Sequence, residues 1–323
     1  MIDYADLDRL ANPKGELRPL LSAMFEKNHW LLKPMLEYLE PAMLPDYVRD
    51  VERIWSILRA IRPIDPAQRL DEVIRGLQFH SLEFLRLQIQ FAKKGQYKSE
   101  SFEKVYQEVY SSGQVMQQYL DGLLLTYVAW PNHYQLLQFY RRSYLAQAPR
   151  GDCLEIGPGH GWLALEQLES DPTNTFLGLD VSPHSVAYTR SVLTSAGIAP
   201  NRFQLREGDA LELLNGSSGT FDRIVIAEVL EHLERPDAIL KLLAAHAGAE
   251  TLCFVTTVVN IEAVDHIYLF RELSEVRDML NRCGLEVVDE LDMSLKMSLK
   301  MEREAFEVAL VCRRRANWVG DRA

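Results

Sequence analysis

The chain has 323 residues, 47% of them hydrophobic and 25% charged, the composition of a globular protein with apolar side chains enough for one large core or two modest ones. A net charge of −11 and a pI near 5.3 oppose a phosphate backbone or an anionic bilayer, so nucleic acid and membranes are not expected partners. The four cysteines, Cys153, Cys253, Cys283 and Cys312, stand far apart among apolar neighbours, without the paired spacing of a metal site or disulfide framework.

They read as buried thiols of a reducing compartment. The start, MIDYADLDRLANPKGEL, lacks a basic segment followed by an apolar one, and no apolar run reaches the roughly 20 residues needed to cross a bilayer, so a cytoplasmic location is expected.

Taken in chain order, residues from Asp3 to Ala148 read as successive helices, broken at Pro13, between Pro41 and Pro45, between Pro63 and Pro66, at Gly95 and at Pro131. Val115, Tyr119, Leu123, Tyr127 and Trp130 recur at steps of three and four and share one helical face. Leu85, Leu87, Ile89 and Phe91 alternate like a strand, but the Glu, Arg and Gln residues around them and the length of the segment favour helix.

After Arg150 the pattern changes. Cys153–Ile156, Thr175–Leu179, Phe203–Arg206, Arg223–Ala227, Leu252–Thr256, Leu285–Asp289 and Phe306–Cys312 read as strands. The intervening segments Trp162–Glu169, Ser185–Ala196, Asp237–Ala247 and Glu272–Cys283 read as helices, the alternation of a parallel sheet covered on both faces. Ser182 before Pro183 suits a helix start and Gly284 a helix stop. The tandem MSLKMSLK at Met293 to Lys300 is read as a connection or strand extension between the last two strands.

Residues 153 to 162, CLEIGPGHGW, carry the strongest chemical signal. In an open α/β sheet the ligand sits at the carboxyl ends of the strands, where the first strand-to-helix turn comes closest to it, and glycine permits that approach. A dinucleotide fingerprint would need glycine at position 162, which is Trp. Glu155 precedes the loop and no Lys or Arg lies in it, so a cationic or zwitterionic ligand fits better than a pyrophosphate.

These residues carry a family resemblance. Glu155-Ile156-Gly157-Pro158-Gly159-His160-Gly161 resembles the E-x-G-x-G-x-G motif of class I S-adenosylmethionine-dependent methyltransferases, whose loop wraps the methionine part of the cofactor. Asp180, followed by Val181, resembles the acidic residue that holds the ribose hydroxyls, and Asp209 with Ala210 the pair that reads the adenine amine. Phe221 to Pro236 resembles the fourth strand and the helix after it, with Ala227 and Glu228 bordering the cofactor; Glu231-His232 on that helix reads either as an acid/base pair or as the scaffold common at this place in the family, and His160 either meets the ligand carboxylate or caps the loop.

The resemblance covers roughly residues 130 to 312 and implies a Rossmann-like core with a seven-stranded, mostly parallel sheet, preceded by an all-helical N-terminal cap. The expected domains are residues 1–147 as cap and substrate domain, 148–315 as cofactor-binding domain, and 316–323 as a polar tail.

The acceptor must then be chosen by what covers the cleft. Residues 126 to 144 concentrate Tyr127, Trp130, Asn132, His133, Tyr134, Tyr140 and Tyr144. Aromatic faces stabilise a sulfonium cation and suit an apolar substrate, so Tyr127, Trp130 and Tyr140, with Tyr268 from the segment after the fifth strand, are candidate substrate contacts. Tyr134, Asn132, His133 and His266 are candidate catalytic residues, and His133, His266, Glu228 and the tyrosines are left as alternative bases. No constellation of acids suggests a divalent metal.

Three readings follow. The first is a methyltransferase acting on a small molecule of specialised metabolism. The second rests on a looser resemblance to azetidine-2-carboxylate synthases, which share the fold and cyclise S-adenosylmethionine with release of methylthioadenosine; Trp130, Asn132 and Tyr134 would impose the bend. The third is a non-catalytic cofactor-binding protein. Oligomeric state is left open.

Overall fold

The computed structural model describes residues 3–10, 17–97, 113–216, 219–294 and 304–318. Seven strands form one sheet in the order β3-β2-β1-β4-β5-β7-β6. They are β1 Asp152–Ile156, β2 Thr175–Asp180, β3 Phe203–Glu207, β4 Phe221–Ala227, β5 Ala247–Val259, β6 Leu285–Ser294 and β7 Phe306–Arg314. All pairings are parallel except those of β7, which runs antiparallel to both β5 and β6. This is the Rossmann-like architecture expected from the alternation of short apolar runs with helical segments.

Before the sheet come the helices α1 Tyr4–Leu10, α2 Arg18–Leu21, α3 His29–Tyr38, α4 Leu44–Ile61, α5 Pro66–Lys94, α6 Gly113–Ala129 and α7 Pro131–Phe139. Punctuation falls where backbone chemistry requires it. Asp65 caps α5 by accepting from the amides of Ala67 and Gln68, and Gly95, with φ +64°, ends it in the left-handed region. The ambiguous stretch Leu85–Phe91 is helical, inside α5. Pro131 opens α7 at its first turn, and a π-turn segment, Tyr140–Leu145, leads into β1.

Within the sheet follow α8 Trp162–Ser170, α9 Pro183–Ser195, α10 Ala210–Leu213, α11 Pro236–His246 and α12 Leu273–Arg282. Ser182 caps α9, its hydroxyl accepting from the Ser185 amide at 3.3 Å. The resemblance puts Glu231 and His232 on the helix after the fourth strand, but they lie in a short 3-10 turn, Leu230–His232, and α11 begins only at Pro236, close to the Asp237 start that the sequence pattern gives.

One hydrophobic cluster joins the N-terminal helices to α8, α9 and one face of the sheet, and runs from Leu7 through Trp162 to Phe254. Its joint is aromatic. Tyr140 stacks on Tyr144 at 5.2 Å and meets Phe254 of β5 edge-on at 4.8 Å. A second cluster, with α11 and α12, covers the other face. All four cysteines are buried free thiols. Met293 and Ser294 of the tandem tetrapeptide belong to β6, while residues 295–300, Pro13 and the end of the tail lie outside the described residues. No helix among the described residues is long and apolar enough to cross a membrane.

Candidate active site

The strand order reverses between β1 and β4, and beyond their carboxyl ends lies a cavity of about 600 Å³. Its floor is the β1 loop with Glu155, Gly157, Gly159 and His160; its sides include Asp180 and Val181 after β2, Asp209 and Ala210 after β3, and Ala227 and Glu228 after β4. The opposite wall comes from the helical half, with Met116, Tyr119, Leu120, Leu123 and Tyr127 of α6 and His133 and Leu136 of α7.

Each group on the floor is held by a definite partner. Asp180 accepts the Ser182 amide on Oδ1 at 2.9 Å and the Gly159 amide on Oδ2 at 3.2 Å, so this carboxylate also fixes the glycine loop and keeps lone pairs for a ligand. Gly157 has φ +67°, and a Cβ there would stand 2.6 Å from Cγ2 of Val229. Glu155 accepts from Nε2 of Gln167 at 3.2 Å, and burial pushes its carboxyl up to about 8. Burial likewise pushes Asp180 up to about 6 against the two amides that favour its ionised form. Glu228 is one of two non-glycine residues of positive φ among the described residues, at +51°, held by Thr256, whose Oγ1 accepts the Glu228 amide at 2.9 Å and lies 2.7 Å from its carboxylate.

The imidazoles have tautomers set by their neighbours. His160 Nδ1 accepts the Trp162 amide at 3.1 Å, which leaves Nε2–H as a donor. Thr126 donates its hydroxyl to the Leu123 carbonyl at 2.6 Å and therefore receives Nδ1–H of His133, at 2.7 Å, which leaves His133 Nε2 with a bare lone pair. Burial pushes both imidazoles down to about 3, so they are neutral at ordinary pH.

The structure separates the other expected residues from the cavity wall. Asn132 reaches Oε2 of Glu307 at 2.7 Å; Glu307 lines the cavity and Asn132 stands behind it. Tyr134 is buried edge-on between Tyr47 and Tyr38, and Trp130 packs on Phe84 and His133 with its indole N–H toward Ser81. Tyr140 donates to the Leu163 carbonyl inside the core, and Tyr268 lies on Phe270 in the cluster on the other face of the sheet. Gly161, at φ +72°, caps α8 and makes room for Thr189, whose Cα a Cβ would approach to 3.0 Å.

His266 is buried beside His232, ring centroids 5.1 Å apart, with Nδ1 on the Ile261 carbonyl. Glu231, His232 and His266 bring ligand atoms within 4.8 Å of one another. Glu307 was not singled out from the sequence, although a lone acid inside the apolar strand FEVALVC is itself a signal.

Among the described residues the cavity is rich in carboxyl groups and has one guanidinium, that of Arg235. Such a field suits a cation and opposes a phosphate. Residues 154–253 match the family of methyltransferase domains. The chain carries a class I S-adenosylmethionine-dependent methyltransferase domain. Its cofactor is S-adenosylmethionine, whose sulfonium charge and polar ends fit the acidic, loop-floored cavity.

Two solved structures at TM-scores of 0.50 and above share the fold. The mitomycin 7-O-methyltransferase MmcR is 18% identical with a TM-score of 0.52, over 80% of this chain and 75% of that one. An O-methyltransferase family protein from Burkholderia thailandensis is 10% identical with a TM-score of 0.50, over 76% of this chain and 72% of that one. The O-methyltransferase of neocarzinostatin biosynthesis, solved with S-adenosylmethionine and 2-hydroxy-5-methyl naphthoic acid, is 14% identical with a TM-score of 0.49, over 74% of this chain and 70% of that one. A search of curated proteins finds no match.

Proposed function

We propose that this enzyme transfers a methyl group from S-adenosylmethionine to a hydroxyl-bearing small molecule of specialised metabolism. The observation that carries the reading is the shared cavity, with one wall built from the glycine loop and the strand ends and the other from α6 and α7. Its volume of about 600 Å³ lies within the roughly 300–1,000 Å³ of small-molecule sites, and its helical wall is apolar where an aromatic or aliphatic acceptor would lie.

In this reading the glycine loop holds the methionine part, with Nε2–H of His160 available to its carboxylate, Asp180 accepts from the ribose hydroxyls, and Asp209 with the Ala210 amide reads the adenine. The cofactor supplies an electrophilic methyl group on sulfur. Tyr127, edge-on to His160 at 4.9 Å, presents its ring near the loop. His133 Nε2, a bare lone pair on the cavity wall, accepts a hydrogen bond from the acceptor hydroxyl and orients it. Its neutrality is an advantage, since an imidazolium there would repel the sulfonium. Alignment and exclusion of water supply the rest.

Cyclisation of S-adenosylmethionine rested on Trp130, Asn132 and Tyr134, and none of these lines the cavity. Incubation with S-adenosylmethionine alone, then with a panel of phenolic and aliphatic alcohols, followed by mass analysis, tests the proposal. Methylated product with S-adenosylhomocysteine supports it. Methylthioadenosine formed without any acceptor supports cyclisation, and binding without turnover on any acceptor supports a non-catalytic protein; either overturns it.

A further inference from the structure

Beside the methyl-transfer cavity lies a second constellation that methyl transfer as described does not use. Glu231 is fully buried in the turn after β4. Its Oε2 accepts from Thr257 Oγ1 at 2.7 Å, and its Oε1 has no hydrogen-bond donor. A buried carboxylate oxygen left so is costly unless a cation or proton meets it. Nε2 of His232 stands 3.9 Å from that oxygen.

Both nearby imidazoles are turned the same way. His232 Nδ1 lies 2.9 Å from the Asp265 carbonyl and His266 Nδ1 lies 2.8 Å from the Ile261 carbonyl. A carbonyl only accepts, so each Nδ1 carries the hydrogen and each Nε2 a lone pair. Two imidazole lone pairs and a carboxyl oxygen thus converge, the three residues' ligand atoms within 4.8 Å of one another.

The arrangement is pre-organised. The amides of Ile267 and Tyr268 both donate to the Glu231 carbonyl, at 2.7 and 2.9 Å, which locks the loop carrying His266 onto the turn carrying Glu231 and His232. Thr257 orients the carboxylate, and the backbone carbonyls orient the two rings, as outer partners do around bound metals.

We infer that Glu231, His232 and His266 form a binding site for a divalent first-row transition metal, ligated through Oε1 and the two Nε2 atoms. Two imidazoles and one carboxylate suit zinc, cobalt, iron or manganese better than calcium or magnesium, which prefer oxygen donors. Three protein ligands leave coordination positions open. His232 and Asp265 line the cavity, so those positions face it. Resting on the reading above, a metal there would bind the acceptor oxygen and make its hydroxyl more acidic.

The test is titration of chelator-treated full-length protein with Co²⁺, followed by visible absorption, and with Zn²⁺ and Mn²⁺ by calorimetry. One equivalent should bind, and E231Q and H266A should each weaken it at least about 100-fold, while H246A, a histidine bonded to the Gly219 carbonyl elsewhere, changes nothing. Binding of S-adenosylmethionine, measured in the same samples, reports whether the variants fold. Should they not, NMR of the wild-type protein decides: Co²⁺ must shift the ring resonances of His232 and His266 selectively. Absence of stoichiometric binding by all three ions, or binding that spares those resonances and survives both substitutions, overturns the inference. Loss of cofactor binding in the wild-type protein would instead count against the methyltransferase reading and leave the metal result standing.

Discussion

Tyr188 of α9 donates its hydroxyl to Oδ1 of Asp121 in α6 at 2.7 Å, and through that carboxylate the helical half is bolted to the cofactor-binding half. Asp121 also receives both terminal nitrogens of Arg69 from α5, at 2.5 and 2.7 Å, and Arg69 Nε reaches the Leu58 carbonyl at the end of α4. Both charges are buried, so each depends on the other. Removing one partner of such a pair costs about 3–5 kcal/mol, whereas replacing both with apolar groups of similar size is often neutral. R69M and D121L should each lower the free energy of urea unfolding by about that amount, and the double variant should recover most of it. Recovery to less than half would show that the pair's worth lies in Tyr188 and the Leu58 carbonyl rather than in the mutual charge.

Asp180 links cofactor affinity to pH. Its carboxyl is pushed up to about 6 by burial, and only the ionised form offers all its lone pairs to ribose hydroxyls. Protons therefore compete with the cofactor. The dissociation constant of S-adenosylmethionine should be flat above about pH 7 and rise as pH falls through 6, by up to tenfold per unit. D180N should weaken binding about 10- to 100-fold, the value of about 1.5–3 kcal/mol for hydrogen bonds to a charged group, and abolish this pH dependence. Calorimetry between pH 5 and 8 on both proteins checks the two claims together.

Two glycines of one loop have separable roles. A Cβ on Gly157 would strike Val229 on the cavity wall, while a Cβ on Gly161 would press on the backbone of Thr189 in α9. Both residues sit at positive φ, where an alanine costs about 1–2 kcal/mol. G157A should lose at least tenfold in cofactor affinity with a modest fall in thermal stability. G161A should lose more stability, because α8 and α9 must move apart. Thermal unfolding and cofactor calorimetry on the pair would expose an inverted order.

Much of this was legible in the sequence, for a physical reason. Buried parallel strands read as short apolar runs, so β1 to β4 are recognised within two residues at each end, and the glycine loop follows from its spacing after Glu155. β5 runs from Ala247 to Val259, longer than its apolar centre, because antiparallel pairing with β7 carries it on to Val259 and Phe306. The stripe Tyr119, Leu123 and Tyr127 was visible as one helical face, but periodicity says that a face is buried and not what it faces; here it faces the cavity. Aromatic content alone misplaced Tyr134 and Tyr140, whose rings go to the core. The convergence of His266 with Glu231 and His232 depends on a loop closed by two backbone hydrogen bonds, which residue spacing does not encode.

The buried titratable groups of the cavity shape stability against pH in opposite directions. Burial raises Glu155 from an ordinary 4.5 to about 8, with Asp180 beside it acting in the same sense, so the folded chain holds a proton that the unfolded chain has released. That contribution is complete below pH 4.5 and is lost as pH rises through 8. His133 and His160 are pushed from 6.5 down to about 3 by burial, with neighbouring imidazoles acting in the same sense, so below 6.5 the unfolded chain takes protons that the folded chain refuses. Their contribution is complete above 6.5 and is lost as pH falls toward 3. Between pH 4.5 and 6.5 the two slopes oppose each other, and the stability of the ligand-free protein should fall on both sides of that range. E155Q should make the alkaline limb shallower by one proton and leave the acid limb in place, because an amide keeps the hydrogen-bonding shape and has no proton to lose, while Glu231, raised to about 8 in the same way, still contributes. Thermal midpoints from pH 4 to 9 on the two proteins decide it: an unchanged alkaline limb in E155Q would assign that limb to other groups and show that Glu155 is ionised in the folded protein.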